Sequence, residues 1–253
     1  MTLTTDPLFV QSLAKGMRLL EAFSDNPGPL SLNALAQCSD MDRSATQRMA
    51  HTLVALGYLE RGENGRGYVL GKKFLDRTFD FLRSHPLIER ATPVLIDVQK
   101  EADERVDLSL FDDTSIIYAL RHQTKRQSFY ATLVGRRLPS FCTSGGNAAM
   151  SCLSDEAVRS ILDRSNLQPM TAHTVTDIEQ IFKRIVRSRD DGYVLLEEEA
   201  RLGEIVLASP IVNRKGEPVG AVHIAGSLSD WTAEPFAKRF APLAITAARA
   251  LNG

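Results

Sequence analysis

The sequence predicts an α+β protein in two parts: a small N-terminal domain of three helices closed by a β-hairpin, and a larger domain mixing helices with antiparallel strands. Three observations carry this reading. Helical apolar stripes over 13–23, 32–36 and 45–56 stop at Gly57; a glycine-rich turn at 62–67 separates two short runs; and beyond Pro86 strict polar/apolar alternation appears at 105–111.

The first helix follows from Leu13, Met17, Leu20 and Phe23, with Leu19 beside them, and ends at Asp25-Asn26-Pro27-Gly28-Pro29. Ser31 is a predicted cap for a short helix bearing Leu32, Leu35 and Ala36, and Cys38-Ser39-Asp40 breaks the chain before a third helix opens at Asp42. Ala45, Met49, Leu53 and Leu56 recur at three- and four-residue steps and are expected to form its buried face. The opposite face carries Arg43, Ser44, Thr46, Gln47, Arg48 and His51, concentrated where a recognition helix meets base edges in the major groove. Gln47 can pair bidentately with adenine, Arg43 or Arg48 with guanine, and the hydroxyls of Ser44 and Thr46 with base or phosphate. A solvated surface helix would show similar residues. What favours DNA is the next segment: 58–61 and 68–70 are strands joined by Gly62 to Gly67, a wing that sets Arg61 and Arg66 against the sugar-phosphate backbone. The G-x-x-G-x-G spacing does not match a dinucleotide fingerprint, because no apolar strand precedes it and no helix opens from it.

Residues 72–84 carry a wide apolar stripe, Leu75, Phe79 and Leu82, that needs a partner, and Pro86 ends it. This divides the chain into 1–71, a connecting helix at 72–85, and 86–253. In the last part helices are expected at 87–100, 146–153, 155–163, 177–190 and 233–251, with Pro242 kinking or splitting the final one. Strands are expected at 105–111, 115–120, 193–197, 205–212 and 219–225. On the first of these, Val106, Leu108 and Leu110 alternate with Asp107 and Ser109.

At 253 residues and 43% hydrophobic content the chain is large enough for two packed cores. A formal net charge of −1 requires DNA binding to come from local cations, among them Lys72 and Lys73, rather than from a globally basic surface. Cys38, Cys142 and Cys152 form no CxxC pair or zinc spacing, and their odd number argues against a disulfide framework, so a cytoplasmic setting is expected. No apolar run spans a membrane, and residues 1–6 lack the pattern of a secretory signal. No cofactor is implied.

Across nearly its whole length the chain resembles the IclR family of bacterial transcription regulators. The matching segments run in order: 12–20, 30–36, Gly57-Tyr58-Leu59, 67–71, Val134-Gly135-Arg136-Arg137-Leu138-Pro139, Thr143-Ser144-Gly145-Gly146, 174–177, Gly192-Tyr193, Glu198-Glu199 and Ala208-Ser209-Pro210. The resemblance implies a winged helix-turn-helix joined to a GAF-like effector domain. It also implies binding to double-stranded promoter DNA as a homodimer or dimer of dimers. The effector pocket is implied at Thr143, Ser144, Gly145, Gly146, Asn147, Leu196, Val206, His223 and Ala225. Hydroxyls and backbone N–H groups at the start of a helix suit a carboxylate; a plain N-cap with glycines for close packing is the alternative. Asn147 stands where the family usually has lysine, Phe141 where histidine is common, Val206 where cysteine is frequent, Leu196 where an acid can occur and Ala225 where serine can occur. These departures strip polarity from the pocket, with His223 as the exception, and point to an aromatic or aryl-aliphatic carboxylate. A core role for His223 is the other reading.

Two other function classes compete. Cys142, Ser144, His173 and His223 could be drawn into a nucleophile and base, but no G-x-S-x-G, HExxH or P-loop occurs. An interaction module that has lost DNA binding is the second. Glu197-Glu198-Glu199 is expected to be a solvated strand end, since neighbours on a strand point to opposite faces.

Overall fold

The computed structural model describes residues 6–24, 26, 28–123 and 134–253. Residues 1–5, and Asp25 and Pro27 of the expected break, lie outside it. The chain forms two compact units, Met1–Phe81 and Leu82–Gly253.

In the first unit, α1 (Gln11–Glu21), α2 (Leu32–Ser39) and α3 (Arg43–Ala55) precede a hairpin of β1 (Leu59–Arg61) and β2 (Tyr68–Leu70). Both caps of the helix-turn-helix are side chains. Ser31 Oγ accepts from the N–H of Ala34 at 3.1 Å, and Asp42 Oδ1 accepts from the N–H of Ala45 at 2.8 Å. Between them Asp40 takes the left-handed conformation, φ 50°, that breaks the chain. The core is Leu19, Ala22, Leu35, Ala50, Leu59 and Tyr68. It sits on a different face of α1 from the expected stripe: Leu19 is buried, whereas Leu13 and Met17 are 65% and 50% exposed. In α3 the inward face is centred on Thr46 and Ala50, and Leu56 is exposed. The hairpin pairs Leu59 with Leu70 and Arg61 with Tyr68.

α4 (Lys73–Ser84) buries none of its residues, and Leu75 and Phe79 stand exposed on it. The second unit holds a six-stranded antiparallel sheet, in spatial order β5-β4-β3-β8-β7-β6, made of β3 (Arg105–Asp112), β4 (Ser115–His122), β5 (Arg137–Pro139), β6 (Val194–Glu197), β7 (Glu204–Val212) and β8 (Pro218–Ser227). β5 is an edge strand too short to show alternation in the sequence. One sheet face, with Val106, Leu108, Ile205, Leu207, Val222 and Ile224, packs under α5 (Pro86–Ala102) and α9 (Ala233–Leu251). α9 is one helix: Pro242 does not split it, and Phe236, Phe240, Ala244, Ala247 and Leu251 are all buried. The other face receives α6 (Ser144–Ser151), while α7 (Asp155–Arg164) and α8 (Ile178–Asp191) build a separate apolar cluster with Phe141, Cys142 and Met150. No described helix is long and apolar enough to cross a membrane.

Candidate functional site

The first unit offers a polar surface. Arg43, Ser44, Gln47 and Arg48 are exposed on the N-terminal half of α3 and His51 just beyond it, and Arg43 Nη1 donates to Asn33 Oδ1 at 2.6 Å. Thr46 does not join them. It is fully buried, and its hydroxyl donates to the Asp42 carbonyl at 2.9 Å, so the helix turns it toward Ala50 and away from any groove. Arg61 and Arg66 are exposed on the hairpin, the former with its guanidinium 4.3 Å from the centre of the Tyr68 ring.

The second unit encloses a cavity of about 240 Å³ on the sheet face that α6 covers. Of the nine residues expected to form it, Thr143, Ser144, Leu196 and Val206 line it. The other five have structural work. Asn147 is fully buried; its Nδ2 donates to the carbonyls of Ser140, Phe141 and Thr143 at 2.9–3.1 Å, and its Oδ1 accepts from Arg184 Nε at 2.9 Å. A side chain with every polar atom committed cannot also serve a ligand. Gly145 and Gly146 are there for fit: a Cβ on Gly145 would lie 2.2 Å from His223 Cε1, and one on Gly146 2.3 Å from the Ser140 backbone. Ala225 is buried between Val206 and Arg105 and does not reach the cavity surface.

His223 shares a face with Ala221 and Ala225, as its strand position implied, but it is a core residue. Its Nε2 hydrogen-bonds Ser109 Oγ at 2.7 Å, Nδ1 has no partner among the described residues, and burial pushes its pKa down to about 4. The imidazole is therefore neutral at physiological pH.

What lines the cavity instead is strongly polar, contrary to the pocket stripped of polarity that the resemblance suggested. Arg105, Tyr118, Arg121 and Arg136 form one side, and the segment Glu198 to Arg201 with Glu204 forms another. Beneath them lies Asp107, fully buried, on which two arginines converge. Arg105 Nε meets Oδ2 at 3.0 Å, while Arg121 grips both carboxylate oxygens, Nε to Oδ1 at 2.7 Å and Nη2 to Oδ2 at 2.8 Å. Arg105 Nη1 also donates to Glu204 Oε1 at 2.5 Å. Burial works against the Arg105 charge, yet Asp107 and Glu204 outweigh it and hold the group above the ordinary arginine value.

The three consecutive glutamates are not a solvated strand end. Glu198 has φ 58°, which turns the chain so that Glu199 points inward, where it is buried and paired with Arg184. Burial raises the Glu199 pKa although Arg184 opposes the rise. Thr143 spends its hydroxyl as the cap of α6 and as a donor to the Pro139 carbonyl at 2.9 Å. The N–H groups of Ser144 and Gly145, the next two residues, face no acceptor among the described residues.

None of this assembles a nucleophile and base. His223 is bonded to Ser109 and His173 lies 3.4 Å from Glu198; among the described residues neither hydrogen-bonds Cys142 or Ser144. Burial pushes the Cys142 thiol up to about 12, away from the reactive thiolate.

A capped helix-turn-helix followed by a hairpin that exposes two arginines, joined in one chain to a sheet with a charged cavity, defines a DNA-binding regulator that senses a small molecule. The comparisons agree. Residues 12–63 match the IclR helix-turn-helix domain and residues 79–252 the bacterial transcriptional regulator IclR C-terminal domain. The chain is 30% identical over 249 residues to the Pca regulon regulatory protein of Pseudomonas putida, covering 98% of this chain and 85% of that one. It is 29% identical to the transcriptional repressor IclR of Escherichia coli K12, over 95% and 88% of the two chains. Its fold resembles an IclR homologue from Microbacterium hydrocarbonoxydans crystallised with 4-hydroxybenzoate, with TM-score 0.77, 22% identity and 95% and 97% coverage. The protein belongs to the IclR family of bacterial transcription regulators, and its function is ligand-responsive, DNA-binding control of transcription.

Proposed function

We propose that the protein reads promoter DNA through Ser44, Gln47, Arg48 and Arg43 of α3, with Arg61 and Arg66 on the backbone, and that its effector is a single-ring aromatic carboxylate. The observation that carries the effector class is the cavity itself. At about 240 Å³ it lies just below the range typical of drug-sized ligands, so one substituted ring fills it. Its walls combine the apolar surfaces of Tyr118, Leu138, Leu196 and Val206 with guanidinium groups and with Ser144 at the start of α6, whose N–H has no acceptor among the described residues. A similarly folded IclR homologue crystallised with 4-hydroxybenzoate points the same way.

The working division is a reading domain at 1–71, a connector at 72–85 and a sensor at 86–253, acting in the cytoplasm as a homodimer or dimer of dimers. Leu13 and Met17 on α1, and Leu75 and Phe79 on α4, stand exposed one helical turn apart, and such paired apolar surface supports association. The role is sensing rather than catalysis, in keeping with the inert thiol and the committed imidazole.

Calorimetric titration tests the effector class. Benzoate-type acids, 4-hydroxybenzoate first, are expected to bind at least tenfold more tightly than glyoxylate or pyruvate, a gap of about 1.4 kcal/mol. Binding of the small keto acids alone would reject the aromatic assignment.

A further inference from the structure

Most of the charge around the cavity is paired within the protein. Arg105 is held by Asp107 and Glu204, Arg121 by both oxygens of Asp107, and Glu199 by Arg184. Glu198 accepts from the N–H of Gly203 at 2.7 Å and lies 3.4 Å from His173. Arg136 differs. Its backbone carbonyl accepts from the N–H of Tyr118 at 3.0 Å, which fixes it beside the ring, yet among the described residues its guanidinium has no hydrogen bond or ion pair. It is exposed at the edge of the cavity it helps to line.

We infer that Arg136 is the charge selector of this cavity, admitting acids that carry one negative charge and discriminating against those that carry two. Arg201, the remaining lining arginine, lies 3.8 Å from Glu204 Oε1, so the first carboxylate meets Arg136, the one lining cation without an ion pair among the described residues. A second would have to enter beside Glu198, Glu204 and the buried Asp107, or draw an arginine off Asp107 or Glu204, and each route sets like charges together where water is scarce. The start of α6 does not make up the difference, since a helix terminus offers about half a charge rather than a whole one. The ring chemistry of the ligand rests on the function proposed above; the charge rule rests on the pairing alone.

The test is calorimetric titration of the full-length protein with isosteric pairs. 4-Hydroxybenzoate is compared with 4-hydroxybenzamide, and terephthalate with its monoamide, which has the same shape and one charge fewer. The singly charged acid is expected to win in both pairs by about tenfold or more. Arg136→Gln is expected to close the gap between 4-hydroxybenzoate and its amide while still binding the amide, which shows that the cavity is intact; Arg136→Lys is expected to restore most of the gap. Terephthalate binding as tightly as its monoamide, or an undiminished acid preference in Arg136→Gln, overturns the inference. If no ring compound binds but pyruvate does, the aromatic assignment fails by itself. The charge rule is then read from pyruvate against doubly charged oxaloacetate, and equal affinities overturn it.

Discussion

The polar face of α3 and the polar face of the second unit's sheet use similar residues for opposite purposes. On α3, Ser44, Gln47, Arg48 and His51 are open to solvent, and among the described residues none of their side chains is fastened to a buried partner. On the sheet, Arg105, Asp107, Ser109, Arg121 and His223 are withdrawn from water, each committed to another of the set or to Glu204. A surface row can change with little effect on folding, so it is free to encode recognition. A buried row couples recognition to stability, because removing one member strands the charge of the next.

The largest effect should come from breaking the buried row. Asp107→Ala leaves Arg105 and Arg121 facing each other across the site, and loss of one partner from a buried ion pair typically costs about 3–5 kcal/mol. Denaturant titration is expected to show a large fall in midpoint; a fall below about 1 kcal/mol would mean that water reaches the network.

Next in size is acidification. His223 is neutral in the folded protein with a pKa of about 4, against 6.5 in the unfolded chain. The unfolded state therefore binds the extra proton first, and stability is complete above pH 6.5, declines as the pH falls toward 4, and loses nothing further below it. A depression of this size corresponds to something on the order of 3 kcal/mol. The pH dependence of unfolding should be flatter in His223→Gln than in the native chain over that window.

The open row should behave differently. Gln47→Ala is expected to shift stability by no more than about 0.5 kcal/mol while relaxing preference at one base pair by about 1–3 kcal/mol. Binding arrays across operator variants distinguish the two, and an unchanged base preference would remove Gln47 from the reading face. Smallest in specificity is Arg66→Ala, which should weaken all DNA sequences alike and reduce the salt slope by about one.

The same contrast explains what could be read in the chain. The helix-turn-helix was legible because its punctuation is local: Ser31 and Asp42 cap the helices they precede, and Gly57 and the turn at 62–67 delimit the hairpin. Thr46 was misplaced because a threonine at that step can face either way, and the interior accepted a methyl group with a hydroxyl that bonds its own helix. The cavity was much less legible. Alternation on β3 separates Val106 and Leu108 from Arg105 and Asp107, but it cannot say whether the polar side meets solvent or a buried network. Pairing Asp107 with Arg121 also depends on an irregularity. From Asp112 opposite Ser115, an unbroken hairpin would set Leu120 across from Asp107; the register shift between Leu108 and Ser109 brings Arg121 there instead. Asn147, Gly145 and Gly146 were legible as a motif, but their role is to seat α6 against His223 and Ser140, which only the packing reveals.

The most direct test of the account measures affinity for a self-selected genomic promoter fragment by mobility shift, with and without saturating 4-hydroxybenzoate. If the cavity governs how the reading helices are held, affinity should change by about 5- to 150-fold, the span of ordinary allosteric coupling. Identical affinity in both conditions, with the acid shown calorimetrically to be bound, would contradict it.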